Sequence, residues 1–236
     1  MEYHSTGCLI CGDELKYEKD LKKMSCSVCN ESFDSNASCV NGHFICDNCH
    51  GLEAYGYIEK YAVNTNSTDP LETAVAIMHN KTVKMHGPEH HYLVPAVLLS
   101  AYYNKNNDIE NKKKKIAEAR KRSEKVPGGY CGFYGSCGAG IGTGIFISLI
   151  TGATPLSSDE WKLANRMTSK SLLTISDKGG PRCCKRDTFL AIIEAVKFLK
   201  KNFKTELPIN ENVKCDFSSI NRECLKDKCD FFKKIT

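Results

Sequence analysis

The spacing of apolar and polar residues along this chain predicts helices over most of its length. Asp69 followed by Pro70 is typical of a helix start, because aspartate caps unpaired amides and proline fits the first helical turn. Pro88 predicts a second start, with a kink at Pro95. The segment from Asp108 to Lys125 is helical by propensity, although it is very polar.

Two further helices are predicted in the second half of the chain. The SSDE segment from Ser157 to Glu160 fits a capping box before an apolar pattern that starts at Trp161. The segment from Asp187 to Phe203 has the clearest amphipathic periodicity. Alternating strand patterns occur only as short pieces near the N-terminus. We therefore predict a mainly α protein, with a small Cys/His module of short strands and turns (1–50) before an all-helical domain (51–236).

Fourteen cysteines in 236 residues make the redox compartment the next question. The N-terminus lacks the basic and apolar regions of a secretory signal, and no apolar run reaches the roughly 18 residues of a membrane span. We therefore expect a cytoplasmic protein, in which closely spaced cysteines are metal ligands or redox groups rather than disulfides. The net charge of +5 is mild and does not require a nucleic-acid partner.

Eight potential ligands near the N-terminus predict two structural zinc ions. They form four pairs with metal-ligand spacing: Cys8 and Cys11, Cys26 and Cys29, Cys39 and His43, Cys46 and Cys49. A closed zinc site takes four Cys or His ligands, so eight ligands complete two sites. Sequential pairing and cross-braced pairing (first with third, second with fourth) both remain open. His50 is adjacent but surplus to either arrangement.

A second set of cysteines lies in glycine-rich segments of the helical domain. Eight of the seventeen glycines fall between residues 128 and 144, around Cys131 and Cys137. This clustering predicts a loop wrapped against something bulky, because glycine permits close backbone approach. Cys183 and Cys184 follow another glycine pair and have three cations nearby. An iron–sulfur cluster or another metal, reactive thiols, and a structural role with glycines for helix packing are the alternatives.

Histidines, a glutamate and two arginines supply candidate catalytic groups. The HGPEHH segment contributes His86, Glu89, His90 and His91. At a helix start these imidazoles can ligate a metal or transfer protons, or they can simply be exposed at a capped end. Arg182 and Arg186 flank the cysteine pair and are candidates for binding an anion.

Two features nearer the surface are less specific. Cys215, Cys224 and Cys229 can bind a further ion or cluster, or close over the site formed by the middle cysteines. The basic run that starts at Lys112 is predicted to be a solvated helix face. Glutamates interrupt it, and no aromatic residues interleave to stack on bases.

Motifs spread over nearly the whole chain resemble an uncharacterised cysteine-rich domain family of anaerobic archaea and clostridia. These motifs are the segment Cys39–His50, HGPEHH, CGFYGSCGAGIGTG from Cys131 (the pattern CGxxGxCGAGIGTG), Thr151–Leu156, and PRCCKR at Pro181–Arg186. The resemblance implies an anaerobe's cytoplasm, where oxygen-labile clusters survive. Some members are labelled methyltransferase, but the family transfers no catalytic assignment.

Three functional hypotheses follow from these observations. In the first, the protein is an iron–sulfur or sulfur-handling enzyme or carrier for a small anionic or sulfur-containing substrate. Cys131, Cys137 and either Cys183 or Cys184 hold its cluster and leave one position open. The second is a non-enzymatic zinc-containing adaptor for protein or RNA, and the third is a methyltransferase-associated protein. Neither a membrane nor a nucleic-acid partner is expected, and whether the protein is an enzyme is left open.

Overall fold

A computed structural model of the chain describes residues 7, 8, 11, 13–27 and 31–233, without the side chains of residues 49, 51 and 52. These residues form a β-hairpin, eight α-helices and two short 3-10 turns. The strands are β1 (Leu15–Ser25) and β2 (Ser32–Cys39). The helices are α1 (Asp47–Asn64), α2 (Pro70–Met78), α3 (Glu89–Lys105), α4 (Ile109–Ser123), α5 (Tyr130–Phe133), α6 (Gly138–Thr151), α7 (Asp159–Ser176) and α8 (Cys184–Phe203). The 3-10 turns are Ser218–Ile220 and Lys226–Lys228. The predicted fold class is therefore confirmed.

The antiparallel hairpin of β1 and β2 forms a bridge between groups of predicted metal ligands. Its register sets Leu15 opposite Cys39 at one end and Ser25 opposite Ser32 at the other. A two-stranded hairpin is marginally stable at best, and most residues of β1 are exposed. The hairpin therefore needs support at its ends, which is where the ligands lie.

Helix α3 is the centre of the helical domain and contacts α1, α2, α4, α6 and α8. Every residue from Glu89 to Ala101 is buried, which is typical of a helix that is surrounded on all sides. Pro95 lies inside this helix without ending it. Among the described residues, no helix has the length and apolar character that crossing a membrane requires.

Helix α1 connects the predicted metal module to the helical domain. It starts at Asp47 and continues to Asn64, so the predicted boundary at residue 50 falls inside one helix. Near its start, Oδ2 of Asp47 accepts a hydrogen bond from the amide of Gly128 at 2.9 Å. The module is thus tied to the helical domain by a continuous helix and a side-chain contact.

Part of the glycine-rich segment is helical, which corrects the prediction of a loop. From Gly138 onward it forms α6, and glycine allows this helix to pack closely on its neighbours. A Cβ added at Gly138 would lie 2.0 Å from the ring of His91, and one at Gly142 would lie 2.9 Å from the His91 carbonyl oxygen. For α6, the alternative of close helix packing is therefore confirmed.

The predicted helix starts are confirmed at some positions and wrong at others. Asp69 caps α2, because its side chain accepts hydrogen bonds from the amides of Leu71 and Glu72. The predicted capping box at α7 is wrong, since the N-cap Ser158 makes no side-chain cap bond. Ser157 instead accepts from the amide of Thr154 and closes the preceding turn. Helix α8 starts at Cys184, about one turn before the predicted start.

The basic helix α4 is largely solvated, as predicted. Its exposed Lys114 pairs with Glu110 in the preceding turn. Lys112 is the exception, because it is buried and donates to the carbonyl oxygen of Thr65 at 2.6 Å and to Oδ1 of Asn104 at 2.8 Å. This lysine has a structural role in the helical domain.

The close packing of α6 predicts opposite effects for two glycine substitutions. Gly142→Ala is expected to lower the free energy of unfolding by about 1–3 kcal/mol, because its methyl group meets the backbone of α3. Gly56→Ala lies on an exposed part of α1 with open space around it, and is expected to raise stability by about 0.5–1 kcal/mol. Urea denaturation of the purified chain, followed by circular dichroism, measures both. Equal stability of the two variants would contradict the packing.

Candidate metal centres

The clearest ligand group lies at the base of the hairpin and can hold a metal ion. Its ligand atoms, which all lie within 4.8 Å of one another, come from Cys8, Cys11, Cys39 and His43. The sulfurs of Cys11 and Cys39 are 3.5 Å apart, and the Cys8 sulfur is 3.7 Å from Nδ1 of His43. A tetrahedral ion bonded at about 2.0–2.3 Å places its ligand atoms about 3.5–3.8 Å apart, so these spacings fit a single ion.

Local turns position these ligands. The amide of Cys8 donates to the carbonyl oxygen of Asp13 at 2.7 Å, and the amide of Cys39 donates to that of His43 at 2.8 Å. The amide of Asn41 donates to the Cys39 sulfur at 3.3 Å. Each turn is closed by its own backbone and aims a side chain at the common point.

The geometry joins the first ligand pair to the third, as in the cross-braced alternative. One contact also joins the second ligand pair to the fourth, because the amide of Cys46 donates to the sulfur of Cys26 at 3.4 Å. The amide of Cys26 donates to the carbonyl oxygen of Glu31 at 2.9 Å, with the same spacing as the turn from Cys8 to Asp13. Cys29 lies outside the described residues, as does the side chain of Cys49.

His50 and Glu89 form a buried pair between the module and α3. Nδ1 of His50 lies 3.5 Å from Oε2 of Glu89, and the other carboxylate oxygen accepts from the amide of Lys84 at 2.9 Å. Burial alone would raise the pKa of Glu89, but the His50 contact lowers it to about 2. Burial opposes charge on His50 as well, yet the carboxylate raises its pKa above the usual value. The two pKa shifts have opposite directions because each group favours the charged form of the other.

The histidines of the HGPEHH segment have different partners. His90 is buried, with Nδ1 3.3 Å from Oγ1 of Thr188 and Nε2 3.1 Å from the Lys84 carbonyl oxygen. His91 is also buried, and its Nδ1 lies 2.9 Å from the Val126 carbonyl oxygen. Burial lowers the pKa of both imidazoles, that of His90 to about 3. These two histidines hold the start of α3 against its surroundings.

His86 is the member of this segment that reaches the cysteines. Its Nε2 lies 3.2 Å from Oδ1 of Asn221 and 3.2 Å from a carboxylate oxygen of Glu223. The amide nitrogen of Asn221 in turn donates to the sulfur of Cys183 at 3.5 Å. Burial, with the nearby Arg182 charge, lowers the pKa of His86.

The start of α8 divides the cysteines of the helical domain into two groups. We call Cys131, Cys137 and Cys184 the three-thiol group, because Cys137 lies within electrostatic range of each of the other two. Cys137 is the N-cap residue of α6, and Cys184 is the first residue of α8. The three-thiol group thus combines segments that are distant in sequence.

A cation and a carboxylate lie beside the three-thiol group. Arg182 interacts electrostatically with Cys131 and Cys184. It also donates to the hydroxyl of Tyr17 on β1 and lies 5.4 Å from the centre of its ring. On another side, the Cys137 thiol donates to Oδ2 of Asp187 at 3.9 Å. The hairpin of the metal module therefore contacts this group through Tyr17.

The remaining cysteines line one cavity, which we call the four-thiol cavity. They are Cys183, Cys215, Cys224 and Cys229. Arg186 lines the same cavity and donates from Nε to Oδ1 of Asp187 at 2.9 Å. Asp187 thus lies between the two groups, with one oxygen toward Arg186 and the other toward Cys137.

Buried thiols of both groups keep their protons when no metal is bound. Burial raises the pKa of Cys137 to about 12 and that of Cys183 to about 11, and it raises the pKa of Cys184 well above its usual value. The thiolate is the nucleophilic form of cysteine, so these raised pKa values disfavour metal-independent reactions at Cys137, Cys183 and Cys184. A metal would displace the protons on binding.

Several residues at these sites were not found by sequence reasoning. Asn221 and Asp187 each contact a predicted cysteine ligand, and Tyr17 contacts Arg182. The signal for the first two is their position, three residues from a cysteine of the same segment. Tyr17 carries no comparable signal, because its contact depends on how the hairpin docks.

The comparisons with known proteins identify the family. The model of DUF5714, a family of unknown function, matches residues 58–232, and the chain belongs to this family. The matched region contains both cysteine groups of the helical domain and begins after the N-terminal ligand group. No curated protein and no solved structure matches the chain.

The buried pair predicts a large effect for one substitution in the HGPEHH segment. Glu89→Gln is expected to lower the free energy of unfolding by about 3 kcal/mol, because it removes the fully buried carboxylate that faces His50. Glu110→Gln, which removes an exposed pair on α4, is the control and should change stability by at most about 0.5 kcal/mol. Urea denaturation compares the two. Similar small losses would show that the pair contributes little.

Proposed function

We propose that this member of DUF5714 is a metalloprotein whose N-terminal module is folded by two zinc ions and whose three-thiol group binds an iron–sulfur cluster. The cluster would act on a small anionic or sulfur-containing substrate. The observation that carries the proposal is the gathering of Cys131, Cys137 and Cys184 beside Arg182, at the place where the hairpin contacts the helical domain.

The first zinc ion would be held by the group at the base of the hairpin. Three sulfurs and one imidazole with tetrahedral spacing are a typical structural zinc set. All four ligands come from the protein, so no position is left for a substrate, and the ion would stabilise the fold without taking part in chemistry.

The second zinc ion would be held by Cys26, Cys29, Cys46 and Cys49. The repeated turn at Cys26 and the contact between Cys46 and the Cys26 sulfur support this assignment. With one ion near each end of β1 and β2, the hairpin becomes the brace between two closed sites. This arrangement would supply the stability that a two-stranded sheet lacks.

The three-thiol group is suited to a cluster with an open position. Three cysteines leave one iron of a four-iron cluster without a protein thiolate. Arg182 lies on the same side and would bind the negative charge of a substrate. Asp187, which already accepts from Cys137, would be the proton acceptor in place of His90 and His91, whose nitrogens hydrogen-bond elsewhere.

Metal content tests the zinc assignment. The purified chain is expected to contain about two zinc ions, and Cys11→Ser about one fewer, because the first site loses one of its four ligands. Elemental analysis measures the zinc, and far-ultraviolet circular dichroism shows whether the helical domain remains folded. A variant with an unchanged zinc content would remove Cys11 from the ligand set.

Anaerobic purification tests the cluster. We expect wild-type protein to contain iron and acid-labile sulfide and to show an absorbance band at about 400 nm. Cys131→Ser and Cys184→Ser should contain less iron and sulfide and absorb less at this wavelength, while their zinc content is retained. Ser136→Ala, in the same glycine-rich segment, is the matched control and should keep its iron. Wild-type protein that stays colourless and contains zinc alone after reconstitution with iron and sulfide would contradict the proposed cluster. The hypothesis of a zinc-containing adaptor would then remain.

A further inference from the structure

We propose that the four-thiol cavity is a second, closed iron–sulfur site. Cys183, Cys215, Cys224 and Cys229 would bind a four-iron, four-sulfide cluster, and Arg186 would donate a hydrogen bond to it. This site is separate from the three-thiol group and shares none of its residues.

The C-terminal segment is irregular, as expected for a chain that metal ligands hold in place. Between residues 204 and 233 its regular structure is limited to two three-residue 3-10 turns and an isolated bridge. The amide of Cys215 donates to the carbonyl oxygen of Phe231 at 2.7 Å, which closes the segment into a loop. Irregular segments with several cysteines are typically fixed by cross-links or metals, and the loop directs three thiols toward the start of α8.

The backbone around these thiols repeats a feature of the N-terminal ligand group. The amides two residues after Cys215 and Cys224 donate to their sulfurs, each at 3.4 Å. The amide of Asn41 makes the same contact with the sulfur of Cys39 at 3.3 Å. Amide donors stabilise the thiolate form that a metal requires. A protonated thiol that only packs against apolar side chains does not require such donors.

Arg186 indicates that the occupant is an anion. This residue is 5% exposed, and its Nη2 donates to the carbonyl oxygens of Gly179 and Pro181 while Nε donates to Asp187. Its Nη1 is buried and has no hydrogen-bond partner among the described residues. An unpaired buried donor destabilises the folded protein, and a hydrogen bond to a charged partner recovers that cost. A cluster with four thiolate ligands carries negative charge and sulfur acceptors.

The spacing of the thiols favours a cluster over a single ion. A zinc ion with bonds of about 2.3 Å holds its sulfurs about 3.8 Å apart. Among the described residues, the Cys8 group is the one that brings three or more ligand atoms within 4.8 Å of one another. No three sulfurs of the four-thiol cavity therefore lie within 4.8 Å of one another, which is wider than a single tetrahedral ion requires.

The walls of the cavity would shelter such a centre. Phe217 and Phe231 line it, and each is 5% exposed. Lys185 fixes one of these walls, since its Nζ lies 4.7 Å from the centre of the Phe217 ring and donates to the Val83 carbonyl oxygen. Four protein thiolates leave no iron open, so a substrate would bind at the three-thiol group and not here. On ligation, each thiol gives one proton to solvent as its sulfur bonds to iron.

Reconstitution of the full chain with ferrous and ferric iron and sulfide under anaerobic conditions tests the site. Wild-type protein is expected to bind about eight iron atoms, four at each thiol group. Cys215→Ser and Cys224→Ser should each lose about half of the iron while zinc is unchanged. The matched variant Cys131→Ser should lose the other half. Two cavity variants are used so that misfolding of one, seen by circular dichroism, does not decide the result.

The outcomes separate this site from the proposed function. If the cavity variants lose iron and Cys131→Ser does not, this site stands and the cluster of the three-thiol group is wrong. If Cys131→Ser loses iron and both cavity variants keep the wild-type amount, this inference is overturned and the proposed function stands. Wild-type protein that binds no iron overturns both.

The potential of the cluster tests the role of Arg186. Arg186→Gln is expected to keep the iron but to make the reduction potential of the cavity cluster more negative, because a cation beside the anion is lost. Arg186→Lys should restore part of the shift. A potential equal to that of wild type in Arg186→Gln would show that Nη1 does not face the cluster.

Discussion

The first turn of α8 is the constraint on which both cysteine groups of the helical domain depend. Successive residues of a helix point about 100° apart, so one turn distributes its side chains to several sides. Cys184 joins the three-thiol group, whereas Cys183 and Arg186 line the four-thiol cavity. Asp187 contacts both sides, through Arg186 and through Cys137. Lys185, Arg186 and Asp187 are buried, and Thr188 contacts His90 of α3, so the packing of this end of α8 fixes the relative positions of the two groups.

The N-terminal module depends on ligands in a different way. Its hairpin has little apolar surface to bury, so the proposed zinc ions near its ends would supply what a hydrophobic core would otherwise provide. The module reaches the helical domain through α1, the His50–Glu89 pair and the contact between Tyr17 and Arg182. A change at the metal group can thus reach the three-thiol group through the hairpin that joins them.

Structural features that depend on neighbouring residues, such as helix caps, were predictable from the sequence. The cap at Asp69 was predictable because aspartate and proline act within one turn. The prediction of a loop was wrong from Gly138 onward, because a cluster of glycines does not distinguish a loop from a closely packed helix. Helix α6 is such a helix, since it packs closely on His91. The pairing of Cys8 and Cys11 with Cys39 and His43 depends on the register of the hairpin, which no ligand spacing contains. The separation of Cys183 and Cys184 into different groups depends on tertiary packing at the start of α8, so the sequence did not predict it.

The central claim is that the thiols of this protein are gathered to bind metal. Anomalous X-ray scattering from crystals grown anaerobically, measured at the zinc and iron absorption edges, tests it most directly. The account predicts zinc peaks at the two ends of the hairpin and iron peaks within both cysteine groups beside α8. Cystine bonds among Cys183, Cys215, Cys224 and Cys229, with no anomalous peak in their cavity, would contradict it.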